Sequence, residues 1–166
     1  MTKMRLTVLT GLVGVFLFSV VTPIQAGPPQ TASGEFWYLG LTAEPRFAGC
    51  NLFLDITEIA EWTGTFTGLS MDEGKAVGHC NGDWSVNEIM TFETVVVDGR
   101  SGGLILRIVG HLPAGVFDWY GHWVILKGTG DLANLRGQGN WWGPGSPEPG
   151  LPGQIFYDGN YHFEPN

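Results

Sequence analysis

Two charged residues interrupt apolar runs of this sequence and are its first candidates for chemistry. Glu93 lies among Phe92, Val95 and Val97, and Arg107 lies among Leu104, Ile105, Leu106 and Ile108. A hairpin centred on Gly99 places both on one face, near enough diagonally to pair across strands. Facing inward, they would orient a ligand or exchange protons with it, because burial displaces a carboxyl pKa. Facing outward, they form a surface pair of little energetic value. A slip of one residue in register reverses the answer, and the outward arrangement is favoured.

Aromatic side chains are the second source of candidates. Seven tryptophans are present: Trp37, Trp62, Trp84, Trp119, Trp123, Trp141 and Trp142. They are densest in the segment from Phe117 to Trp123, which also holds His122. Such rings fill small barrels and also line ligand cavities. Core filling accounts for most of them. Trp37, Trp62, Phe92, Glu93, Arg107, Trp119, His122 and Trp123 are the residues expected to line a cavity if one exists. Aromatic rings beside Asp and Asn equally suggest a sugar platform.

Other chemistries find little support. His79, His111, His122 and His162 form neither His-x-His nor His-x-x-x-His, so no metal site is expected. There is no Gly-x-Ser-x-Gly elbow of a serine hydrolase. Gly128-Thr129-Gly130 lacks the Lys and following helix of a phosphate loop. No motif asks for a cofactor. Cys50 and Cys80 are the two cysteines, and in an oxidising compartment they form a disulfide, with about 3–4 kcal/mol of stabilisation from the closed loop. The rival reading makes one of them a reactive thiol.

The compartment follows from the N-terminus. Lys3 and Arg5 precede an uncharged, largely apolar run from Leu6 to Val21, and Pro23 and Ala26 follow. That is the order of a secretory signal, with cleavage expected after Ala26. The run is too short for a membrane span, so none is expected once the signal is removed. Residues 27–166 then make one domain that is secreted or periplasmic. Loss of Lys3 and Arg5 leaves six basic residues against sixteen acidic ones, a net charge of −10. A chain this acidic, with no basic cluster, repels phosphates and is not expected to bind nucleic acid.

The elements that must position these residues read as strands. Residues 27–33 form a flexible lead-in, and the domain proper runs from 34 to 166. Short apolar runs punctuated by glycine suggest strands at 35–42, 51–62, 64–71, 75–80, 86–97, 103–111, 118–127, 134–142 and 154–163. In the last, Ile155, Tyr157, Tyr161 and Phe163 share one face. Asp98-Gly99 between apolar runs is a hairpin turn. Gly128 and Gly130 turn the chain so that Leu132 and Leu135 plug one barrel mouth. Residues 143–153, rich in Pro and Gly, form a loop before the last strand. About eight strands in such a length suggest an all-β closed barrel or a sandwich.

Three segments carry a resemblance. They are Thr65-Phe66-Thr67-Gly68, the run from Phe92 to Gly102, and Gly128-Thr129-Gly130-Asp131-Leu132-Ala133-Asn134-Leu135-Arg136-Gly137-Gln138-Gly139. Over residues 32–163 the chain resembles a bacterial family of unknown function akin to the allene oxide cyclase and dirigent-like barrels. The resemblance implies an eight-stranded antiparallel β-barrel with an apolar interior, and often a homo-oligomer. Thr94 stands where that family usually has Gly, and no catalytic group of those enzymes matches residue by residue. The expected function is binding of a small apolar or aromatic ligand inside the barrel. A cyclase or isomerase of the allene oxide cyclase type, and a surface or assembly protein, are the alternatives.

Overall fold

The computed structural model describes residues 27–144 and 153–165. Eight strands follow in chain order: β1 (Gln30–Ala48), β2 (Asn51–Gly64), β3 (Thr67–Gly78), β4 (Trp84–Val97), β5 (Arg100–Leu112), β6 (Asp118–Gly128), β7 (Leu135–Pro144) and β8 (Gln154–Phe163). Each pairs antiparallel with its sequence neighbour, and β8 returns to β1, so the sheet closes into a barrel. The closure spans only Gln30–Trp37 of β1 against Gln154–Tyr161 of β8. Beyond Trp37, β1 pairs with β2 alone.

Alternation decides which side chains face the interior. In β2 the even positions Leu54, Ile56, Glu58, Ala60 and Trp62 point inward. Bulges reset the phase where the curvature demands it. One between Tyr38 and Gly40 moves the inward set of β1 from Phe36 and Tyr38 to Leu41 and Ala43. Another, between Phe92 and Val95, hands the interior from Phe92 to Val95 and Val97. The hairpin at Asp98-Gly99 forms as the sequence suggests, with φ of 54° and 74° at the two central residues.

The barrel is filled at one end and open at the other. At the filled end Trp62 stacks on Phe36 at 4.1 Å between ring centroids, and Phe66 stacks on Tyr157 at 5.4 Å. Trp123 meets the Phe66 ring edge-on. Leu132, carried on a single 3-10 turn at Gly130–Leu132, and Leu135 are fully buried and close this mouth. The Tyr157 hydroxyl accepts from Phe66 N–H at 2.9 Å and donates to the Thr63 carbonyl at 3.0 Å, pinning the β2–β3 turn to β8. At the other end, Cys50 and Cys80 are joined with their Cα atoms 5.1 Å apart, which ties the β1–β2 turn to the end of β3.

Several element boundaries differ from the sequence expectation. Segments 64–71 and 75–80 are one strand, β3, because Gly74 is not a turn but an extended residue paired with Ile56 and Glu88. β1 begins inside the stretch read as a lead-in: Gln30 through Ser33 are in register with β8. Gly143 and Pro144 belong to β7, paired with Trp119 and Asp118. The rest of the Pro-rich loop, residues 145–152, lies outside the described residues, as does the signal segment 1–26. Among the described residues, no helix is long and apolar enough to cross a membrane.

Candidate functional site

The open half of the barrel encloses a cavity of about 440 Å³. Its walls are apolar: Leu41 and Ala43 from β1, Leu54 and Ile56 from β2, Trp84 and Val86 from β4, Leu112 from β5, Trp119 from β6, Trp141 from β7 and Ile155 from β8. Val116 and Phe117, in the β5–β6 connection, stand at the mouth, and Phe117 is 83% exposed. Trp141 is held by its indole N–H on the Val109 carbonyl at 3.1 Å, so its ring forms a fixed wall.

The floor is different in kind. Glu58, Glu88 and Tyr38 meet there, with Asp72 just beneath. Glu58 on β2 and Asp72 on β3 are directly opposed cross-strand partners, both facing inward. Glu88 on β4 is opposite Gly74. A Cβ on Gly74 would collide with the Glu88 side chain, so the missing side chain is what lets Glu88 lie across β3 toward Glu58. Residue exposures are 7% for Glu58, 1% for Asp72 and 3% for Glu88. Glu58 Oε2, Glu88 Oε2 and both Asp72 oxygens have no hydrogen-bond partner. Among the described residues, the buried polar or charged side chains are these three and Ser70, so no buried Lys, Arg or His balances them.

Burial without a countercharge favours the protonated acids. Burial, and then the facing Asp72 carboxyl, pushes Glu58 up to about 8 against a hydrogen bond with Tyr38 that lowers it. Asp72 rises to about 7 through burial; the nearby Ser70 hydroxyl, which itself accepts from the Trp62 indole at 3.0 Å, relieves it only in part. Glu88 lies well above the ordinary carboxyl range, first through burial and then through Glu58 and Asp72. The Tyr38 phenol is raised as well, by burial and then by Glu88. The arrangement is an open-mouthed, largely apolar chamber whose base holds hydrogen-bonding groups able to change charge near neutrality. Among the described residues, no group of three His, Cys, Asp or Glu is placed to hold a metal ion.

The shape has a solved counterpart. The crystal structure of a protein of unknown function from the DUF3224 family of Shewanella oneidensis MR-1 superposes with a TM-score of 0.60 at 22% identity, covering 84% of this chain and 100% of that one. At that identity the likeness is one of fold. No family model and no curated protein matches the sequence.

Of the eight residues expected to line a cavity, the structure places one, Trp119, on the cavity wall. Trp62, Phe92 and Trp123 are buried in the filled half, where they pack the core. Trp37 is half-buried and out of phase with inward-facing Phe36. Glu93 is exposed within the β4 bulge, which removes it from the alternation that an inward position requires. Arg107 is also exposed, opposite Ile89, with its Nε donating to Asn87 Oδ1 at 2.9 Å. The two therefore form no inward pair. His122 lies on the outer face, its Nδ1 2.9 Å from Asn140 Oδ1, beside a polar depression outside the barrel. Sequence reasoning missed Glu58, Asp72 and Glu88. The signal was parity: Glu58 shares the even phase of Leu54, Ile56, Ala60 and Trp62, and Glu88 that of Trp84, Val86, Met90 and Phe92.

Proposed function

We propose that this chain is an exported barrel that binds one small, largely apolar or aromatic molecule in its open half. The observation that carries the reading is the 440 Å³ apolar chamber, within the range of small-molecule sites and closed behind by a packed core. The disulfide at the rim is compatible with an extracellular or periplasmic setting. The likeness of three sequence segments to allene oxide cyclase and dirigent-like barrels fits the same use of the interior.

Trp84, Trp119 and Trp141 line the chamber and report on it directly. Titration of the oxidised protein with neutral apolar dyes, N-phenyl-1-naphthylamine first, is expected to give saturable quenching of Trp emission. Ala76, a small buried residue on the same wall, is the position to block: Ala76→Phe should weaken binding while circular dichroism stays that of the parent. No saturable change with any dye, or full affinity in a folded Ala76→Phe protein, would overturn the reading.

A second reading, an isomerase or cyclase, is favoured by one observation. Glu58 and Asp72 are raised to about 8 and about 7, where general acids and bases work best. Its signature is conversion of a bound unsaturated epoxide that Glu58→Gln abolishes while binding is retained. Quantitative recovery of unchanged ligand would leave binding alone.

A further inference from the structure

The floor of the chamber is built wrongly for a purely apolar ligand. Two of its unpartnered oxygens, Glu58 Oε2 and Glu88 Oε2, belong to carboxyls more than nine-tenths buried on residues that line the cavity. Both oxygens are already shielded from solvent, and an apolar molecule would satisfy neither. Protonation of each acid supplies one donor and leaves acceptors over, since a carboxyl has several lone-pair sites. What the floor lacks is a donor-rich group with positive charge. An ammonium has three donors and no acceptor, so it satisfies these oxygens without creating a new orphan. The surroundings agree: Trp84, Trp119 and Trp141 on the walls supply aromatic surface for an apolar body above the floor. The whole chain, at net charge −8, draws cations toward it.

We propose that the ligand is an organic cation, a primary amine whose ammonium group sits among Glu58, Glu88 and Tyr38 while its apolar body lies along Trp84, Trp119 and Trp141. This rests on the binding reading above and names its ligand class. The groups facing the ammonium are Tyr38 from β1, Glu58 from β2 and Glu88 from β4; Asp72 from β3, the cross-strand partner of Glu58, stands outside the lining. β5, β7 and β8 contribute Ile108, Trp141 and Ile155, which carry no charge. In the absence of ligand the acids hold protons. The entering ammonium takes the place of one of those protons, which leaves to solvent, so the net charge of the floor is unchanged.

Isothermal titration of the oxidised protein with tryptamine, and with tryptophol as the neutral analogue of the same shape, tests this. At about pH 8 tryptamine is expected to bind roughly tenfold or more tighter, the scale of a charge-assisted hydrogen bond. Its affinity should increase from about pH 6 to pH 8 as the acids ionise, with proton release detectable from buffers of different ionisation enthalpy. Glu88→Gln and Glu58→Gln should each remove most of the preference for tryptamine over tryptophol. Both variants relieve a buried acid, so thermal unfolding at the same pH should show them at least as stable as the parent. If tryptophol equals or exceeds tryptamine, or if the preference survives the double Gln variant, the cation assignment is wrong while apolar binding stands. If neither compound binds and the neutral dyes also fail, both readings fall together.

Discussion

Replacing Asp72 by Asn should change how stability depends on pH more than it changes stability itself. Asp72 is 1% exposed, faces Glu58 across the β2–β3 pair, and has no buried Lys, Arg or His beside it. Its carboxyl moves from an ordinary 3.8 to about 7 on folding, chiefly through burial. For an acid raised in this way the native state holds more protons than the unfolded chain between those two values. The contribution of Asp72 to stability is therefore greatest below about pH 4 and is lost as pH rises to about 7. At about 1.4 kcal/mol per pH unit, the interval from 3.8 to about 7 amounts to about 4 kcal/mol. Domains of this size are stable by about 5–15 kcal/mol, so the loss is a large share of the total. Asn keeps the shape and cannot ionise. It also removes the Asp72 charge that helps to raise Glu58, so the neighbour's own contribution to the slope shrinks as well. Urea unfolding of the oxidised protein, followed by Trp emission at intervals from pH 4 to pH 8, gives the slope for each protein. The parent should lose several kcal/mol over that range and the variant about 4 kcal/mol less. Equal slopes would refute the claim that Asp72 is buried without a countercharge.

Three further outcomes follow from named contacts. Tyr157→Phe leaves the buried Phe66 N–H without its acceptor and the Thr63 carbonyl without a donor, and should cost about 1–3 kcal/mol by urea unfolding while the Phe66 stack persists. Gly74→Ala puts a Cβ where Glu88 lies, so it should destabilise by about 1–3 kcal/mol and weaken binding in the chamber, both measurable on the same preparation. Glu93→Gln and Arg107→Ala alter exposed side chains and should each change stability by less than about 0.5 kcal/mol, with dye affinity unchanged in fluorescence titration.

The features that were legible in the sequence are those set by local rules. The Asp98-Gly99 turn needs two positive φ angles and has them. Leu132 and Leu135 close a mouth because the turn before them aims them inward. Cys50 and Cys80 are joined, and the faces of β8 fall as alternation assigns them, with Ile155, Tyr157 and Tyr161 buried. What escaped depends on long-range geometry. Gly74 looks like a break until β4 supplies Glu88 to occupy the space above it. Glu93 reads as outward only by a narrow margin, because the bulge that shifts the phase between Phe92 and Val95 is specified by no single-strand pattern. The first four residues of β1, Gln30 to Ser33, read as a loose lead-in because their partner, β8, lies at the far end of the chain.

The missed carboxyls show where the physics lies. An apolar run attracts attention to the charge that interrupts it, as with Glu93 and Arg107, yet a charge flanked by apolar residues on both sides is often one position out of phase with the core. Glu58 and Glu88 are in phase: two residues away in either direction along their strands stand Ile56 and Ala60, and Val86 and Met90, which share their face. An in-phase acid has no route to solvent except through the barrel, and its burial must be supported by the rest of the fold. Here the support is continuous with the site, since β2, β3 and β4 run unbroken from the open half to the aromatic core around Trp62, Phe66 and Phe92. The same ladders that bury the rings hold the acids at a depth they would not choose alone. Rigid β-ladders therefore supply what a preorganised cation site requires: acceptors fixed in a low-dielectric pocket before the ligand arrives, so that little reorganisation opposes its entry.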